Sequence, residues 1–154
     1  MSGSAISESK SRRSSCPEEA AFVSLLRTTD MLSRHLTQVL KAEDLSQTQY
    51  NVLRILRGAP DGLACGEIGN RMITRDPDIT RLLDRLEKRG LISRRRETKD
   101  RRMVLTRITP TGLEVLERLD KPVQDAHRKQ LGHLGREHLQ TLADLLAVCR
   151  KQAG

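Results

Sequence analysis

The sequence predicts a mostly α-helical fold with one small β-hairpin. Leu dominates the apolar residues and is a good helix former. Aromatic residues are nearly absent: one Phe (Phe22), one Tyr (Tyr50) and no Trp. Strand character is confined to two short segments between Leu91 and Thr109, which flank a charged tip. At 154 residues the chain suits one domain, or one domain plus a dimerisation appendage, and is too short for a barrel enzyme or a large doubly wound fold.

Residues 1–17 read as a disordered tail of Ser, Gly, Lys and Arg, with Ile6 as the large apolar residue. The first helix is expected from about Glu18 to Lys41. Phe22, Leu25, Leu26, Thr29, Leu32, Leu36, Val39 and Leu40 follow helical spacing on a broad face. So long an apolar face calls for a partner. Ser46 to Gln49 reads as an S-x-x-Q capping box that opens a second helix, with Tyr50, Leu53 and Leu56 on one face. Gly58-Ala59-Pro60-Asp61-Gly62 stops it. A short third helix spans about Cys65 to Met72, with Ile68 and Met72 inward.

The fourth helix is expected to start with Asp76 as N-cap, Pro77 in the first position and Asp78 offsetting the dipole. Ile79, Leu82, Leu83 and Leu86 form its apolar stripe, and Gly90 ends it as a left-handed cap. Leu91–Arg96 and Met103–Thr109 are the two strands. Both faces of the second strand carry apolar residues, which leaves its inward set open. Thr109-Pro110 repeats the cap-plus-proline signal before a fifth helix that carries Leu113, Leu116, Leu119 and Val123. Pro122 is expected to kink or break that helix. A sixth helix, about Arg136 to Gln152, places Leu139, Leu142, Leu146 and Cys149 on one stripe.

Charge and composition narrow the function. The scarcity of aromatics argues against modules that stack single-stranded bases on exposed rings. The net charge is +8, and the run RRRETKDRR over residues 94–102 holds six basic residues against Glu97 and Asp100. Half of the net charge therefore sits in nine positions. No apolar run approaches a membrane span or a signal-peptide core, so the expected setting is the cytoplasm, without a membrane partner. No G-x-S-x-G, P-loop or H-E-x-x-H is present, so no catalytic site or cofactor is expected. Cys16, Cys65 and Cys149 read as unpaired thiols, with cysteine-based redox sensing as the alternative. His133 and His138 lie five apart, which is not a chelating arrangement, and no metal site is expected.

A short helix, a tight connection, an amphipathic helix and a basic hairpin together form a winged helix-turn-helix pattern. The fourth helix buries its Leu stripe and presents Thr80, Arg81, Asp84, Arg85 and Lys88. A helix fits the major groove, where Arg pairs with guanine. Asp78 and Asp84 oppose phosphate and are read as setting orientation or specificity. Arg95, Lys99, Asp100, Arg101 and Arg102 form the wing, with Asp100 expected to hold an arginine by a salt bridge. A winged-helix module for protein contacts is the other reading.

From Leu45 to Gly112 the chain resembles the MarR family of transcriptional regulators, through SQTQYNVLRIL, ITRLLDRLEKRGLISRRR and DRRMVLTRITPTG. The resemblance extends from about Glu18 to the C-terminus. It implies a winged helix-turn-helix domain over residues 43–110, flanked by dimerisation helices over 18–42 and 111–152. It also implies a homodimer on a near-palindromic double-stranded DNA operator, released by a small phenolic or anionic effector. By position the recognition helix is Asp76 to Gly90, with Thr80, Arg81 and Arg85 where contacts are usual. Arg102 is the wing arginine for the minor groove, with Asp100 as its orienting partner. Cys65 and Gly66 start the third helix, where backbone amides can meet phosphate. Cys65 departs from the family's usual Ser or Thr there. The effector pocket is expected near the junction of the first, second and fifth helices, with Arg34 and His35 as candidate contacts.

Overall fold

The structure is a computed structural model that describes residues 16–152. The tail expected over residues 1–17 thus lies outside the described residues except for its last two. One of these, Pro17, already begins α1 (Pro17–Leu40). The chain forms two compact units, one up to Ser33 and one from Arg34 onward. On α1, Phe22, Val23, Leu25, Leu26 and Met31 are exposed, and Leu40 is buried.

A 3-10 turn over Lys41–Glu43 leads into α2 (Gln47–Arg57). The capping box forms as the sequence predicts: the Gln49 backbone N–H donates to Ser46 Oγ at 3.1 Å, and the Ser46 N–H donates to Gln49 Oε1 at 3.0 Å. Helix α2 buries Tyr50, Val52, Leu53 and Leu56. Helix α3 (Cys65–Arg71) buries Ile68, and Met72 packs on the same core.

Helix α4 (Ile79–Lys88) starts later than the sequence suggests. Its N-cap is Asp78, whose carboxylate accepts from the Arg81 N–H at 3.2 Å. Asp76 is not the cap. It forms a turn in which Oδ1 accepts from the Asp78 N–H at 2.8 Å, and Pro77 lies in that turn. Two Asp side chains two residues apart compete for the free amides, and the later one satisfies a donor inside the helix. The apolar stripe behaves as expected: Leu82, Leu83 and Leu86 are buried. Gly90, at φ +73°, supplies the left-handed turn after the helix.

Strands β1 (Ile92–Arg96) and β2 (Val104–Ile108) pair antiparallel, with Ile92 opposite Ile108, Arg94 opposite Thr106 and Arg96 opposite Val104. The inward set of β2 is Thr106 and Ile108. Thr106 is buried, and its backbone exchanges hydrogen bonds with Leu63 at 3.0 and 2.8 Å. Val104, in the same alternation, is exposed because the hairpin has left the core by then.

Helix α5 (Pro110–Leu131) is capped by Thr109, whose hydroxyl oxygen accepts from the Gly112 N–H at 3.1 Å. Its buried positions are Gly112, Val115, Leu116, Leu119, Val123 and Ala126. Leu113 is exposed because it stands one residue off that stripe. Helix α5 also runs unbroken through Pro122. That proline lies on the exposed side, where the carbonyl it leaves unbonded can be hydrated. After a 3-10 turn over Gly132–Leu134 comes α6 (Gly135–Gln152), which has no buried residue. Its stripe is open in the single chain: Leu142 and Cys149 are exposed, and Leu139 and Leu146 are half-buried.

One core joins Leu40, Leu53, Leu56, Ile68, Leu83, Leu86, Leu91, Ile92, Leu116 and Leu119. Two ion pairs brace its rim. Arg57 donates to both carboxylate oxygens of Asp120 at 3.0 and 2.9 Å, and Arg118 Nε donates to Glu43 Oε1 at 2.7 Å. Among the described residues no helix is long and apolar enough to cross a membrane.

Candidate nucleic-acid interface

Helix α4 turns its Leu stripe into the core, so the opposite face must meet solvent. Thr80, Arg81, Arg85 and Lys88 are exposed on that face. Asp78 is engaged as the N-cap, which is a structural role. Asp84 is not free either. Arg94 of β1 donates through Nη2 to Asp84 Oδ1 and, at 3.0 Å, to Glu87 Oε1. The Arg94 backbone N–H donates to Glu87 Oε2 at 3.1 Å. The Arg94 hydrogen bond holds the Glu87 carboxyl below its usual range, although burial pushes the other way. The same bonds, to Glu87 first and then Asp84, raise the Arg94 guanidinium. The exposed face of α4 therefore carries Arg81, Arg85 and Lys88, with the neighbouring Asp84 and Glu87 already paired to Arg94.

Arg94 was hidden in the sequence inside a basic run. The available signal is strand alternation: Arg94 shares a face with buried Ile92, whereas exposed Arg95 points the other way.

On the wing, Arg95, Lys99, Asp100, Arg101 and Arg102 are all exposed. The salt bridge expected between Asp100 and Arg102 does not form. Asp100 Oδ1 accepts from the Arg102 backbone N–H at 3.0 Å, and the Asp100 carbonyl accepts from the Met103 N–H at 3.0 Å. An Asp two residues before an amide closes its own local turn more cheaply than it fixes a long side chain. Arg96 Nη1 donates to the Arg101 carbonyl at 2.8 Å and ties the tip together.

Cys65 is the first residue of α3 and is half-buried. Ala64, before it, offers no side-chain cap. Gly66 is next, in open space. Cys16 Sγ donates to Glu18 Oε2 at 3.2 Å, and Cys149 is exposed on α6.

A cavity of about 420 Å³ opens where α1, α2 and α5 meet, the junction expected for an effector. Leu36, Tyr50, Ile55 and Ile73 supply apolar wall, and Gln47, Thr48, Asn51, Arg54 and His127 supply polar groups. Arg54 lies 5.9 Å from the Tyr50 ring centroid, and burial raises the Tyr50 hydroxyl above its ordinary value. Asn51 Oδ1 accepts from the Ile73 N–H at 2.8 Å, which links the cavity wall to the segment that precedes α4. Exposed Arg34 and half-buried His35 do not line this cavity. Sequence reasoning missed Arg54, an exposed residue on a largely covered helix, and His127, which stands among exposed polar positions of α5.

The model of the MarR family matches residues 45–104, which span α2 to the start of β2. A MarR transcription factor of known structure from Planctomyces limnophilus is 39% identical, with 89% of this chain and 99% of that chain covered and a TM-score of 0.67. The transcriptional repressor CouR, solved bound to a 23-mer DNA duplex, is 29% identical, with 86% and 95% covered and a TM-score of 0.78. The regulator FarR of Neisseria gonorrhoeae is 28% identical over 130 residues, 84% of this chain and 88% of the relative. The matched segment coincides with the two short helices, the exposed arginine face and the basic hairpin, and the chain belongs to the MarR family of transcriptional regulators.

Proposed function

We propose that this protein is a sequence-specific double-stranded DNA-binding repressor, acting in the cytoplasm as a homodimer on a palindromic operator. The observation that carries the reading is the joint exposure of Thr80, Arg81 and Arg85 on a rigidly packed helix beside the basic wing. Helix α4 enters the major groove, and Arg102 reaches the adjacent minor groove from the hairpin tip. Similarity to a repressor solved on a DNA duplex supports this. The open apolar faces of α1 and α6 support pairing with a second copy, since large exposed apolar patches mark association surfaces.

The effector is a small phenolic or anionic molecule in the cavity of α1, α2 and α5. Its ring packs on Leu36, Tyr50 and Ile55, and its charge faces Arg54 and His127. It releases DNA only to the extent that it prefers the spacing of the two α4 helices that cannot span adjacent major grooves.

The test is a mobility-shift assay with the DNA upstream of the protein's own gene. A discrete complex that weakens steeply with salt is expected. No complex even at low salt would favour a winged-helix module for protein contacts.

A further inference from the structure

We infer that Arg94 is a positioning residue: it sets the bearing of the wing on the recognition helix by clamping Asp84 and Glu87 while its strand holds the base of the hairpin. The inference rests on the reading that α4 and the wing contact one duplex.

The geometry has two halves. On the β2 side, the rung Arg94–Thr106 is the last one anchored in the body. Thr106 is 1% exposed, and its backbone is bonded on the outer side to Leu63. Beyond it the rungs Arg95–Leu105 and Arg96–Val104 lead out to the exposed tip. Arg94 thus stands at the fulcrum where the wing departs. On the α4 side, its guanidinium and its backbone N–H take hold of two carboxylates one helical turn apart. Both side-chain bonds leave the one nitrogen Nη2, whose two N–H directions are fixed in the plane of the guanidinium, whereas a lysine ammonium rotates freely on its stem. The guanidinium side chain is 23% exposed, whereas its carboxylate partners are 48% and 40% exposed. The cation is therefore turned into the crevice between helix and strand and away from DNA. The covalent link alone, Arg89-Gly90-Leu91, runs through a left-handed glycine and leaves the hairpin angle underdetermined.

The test is a set of double-mutant cycles on a duplex that the wild-type protein selects from a random-sequence pool. Arg102→Ala is expected to weaken wild-type binding about tenfold. Arg94→Lys, which keeps the charge, is expected to weaken it by a similar factor. In the Arg94→Lys background Arg102→Ala should cost less than about twofold, because the wing is no longer aimed, whereas Arg81→Ala should keep its full cost. Arg94→Ala should behave as Arg94→Lys does. The inference is overturned if Arg102→Ala costs the same in both backgrounds. It is also overturned if Asp84→Asn with Glu87→Gln restores wild-type affinity to Arg94→Ala, since Arg94 would then only cancel charge. If the wild-type protein selects no duplex, the DNA-binding reading itself fails and takes the inference with it.

Discussion

A methyl group added at position 112 would sit 2.4 Å from the Leu91 carbonyl oxygen and 2.7 Å from Ile108 Cγ1. Neither atom is the loose end of a flexible side chain, so α5 or the strand connection must move. Gly112→Ala is expected to lower stability by about 1–3 kcal/mol, as overpacking does, read as a drop in the denaturant midpoint. Thr109 next to it works twice: its hydroxyl donates to the Gly90 carbonyl at 2.6 Å and accepts from the Gly112 N–H. Thr109→Ser keeps both bonds and should be well tolerated. Thr109→Ala should cost about 0.5–2 kcal/mol in the same measurement. On the wing, Arg102 has its side chain in solvent and its backbone N–H engaged by Asp100. Arg102→Ala should therefore leave the melting temperature unchanged while weakening operator binding by about 1–3 kcal/mol in a titration.

At the scale of elements, acid should loosen the joints between them. Glu87 is held below its usual value by Arg94, and Glu43 by Arg118. A carboxylate whose folded value is depressed stabilises the fold fully above its unfolded value, near ~4.3. That contribution disappears as pH falls through the lower folded value. The doubly substituted Glu43→Gln, Glu87→Gln protein should start less stable at neutral pH. Between about pH 5 and about pH 3 it should lose less of its melting temperature than the wild type, as thermal unfolding at a series of pH values would read.

The elements themselves were largely legible in the sequence because local chemistry specifies them. The Ser46–Gln49 box, the Thr109-Pro110 start, Gly90 and the Leu stripe of α4 all do in the structure what their residue types require. The misreadings have different causes, local in one case and set by the fold in the others. Asp76 lost the cap of α4 to Asp78. Pro122 does not break α5, because it fell on a solvent face where one lost hydrogen bond is tolerable. The partner of Asp84 is ten residues away, across a turn that residue types alone do not fold. The exposed arginines of the candidate site were readable as a pattern. The cavity contacts Arg54 and His127 were not, because only packing brings α2 and α5 together.

For the whole molecule, the unsatisfied surface decides the state of assembly. Leu145 and Val148 on α6, and Phe22 and Leu26 on α1, are more than half exposed in the single chain. The proposed dimer would cover them, which would account for two long helices that bury so little in the single chain. Leu145→Asp is expected to shift the protein from dimer to monomer in sedimentation equilibrium, with operator affinity falling as the second half-site contact is lost. Electrostatics acts on the same scale. With +8 net charge, log K should fall with log salt at ~0.9 per phosphate neutralised.

The most direct measurement is a hydroxyl-radical footprint of the protein on its selected duplex. Two protected half-sites related by a two-fold axis, with centres about one helical turn apart, are expected. Cleavage should also be suppressed in the flanking minor grooves, and that flanking protection alone should vanish with Arg102→Ala. A single asymmetric patch, or protection unchanged by substituting both Arg81 and Arg102, would contradict it.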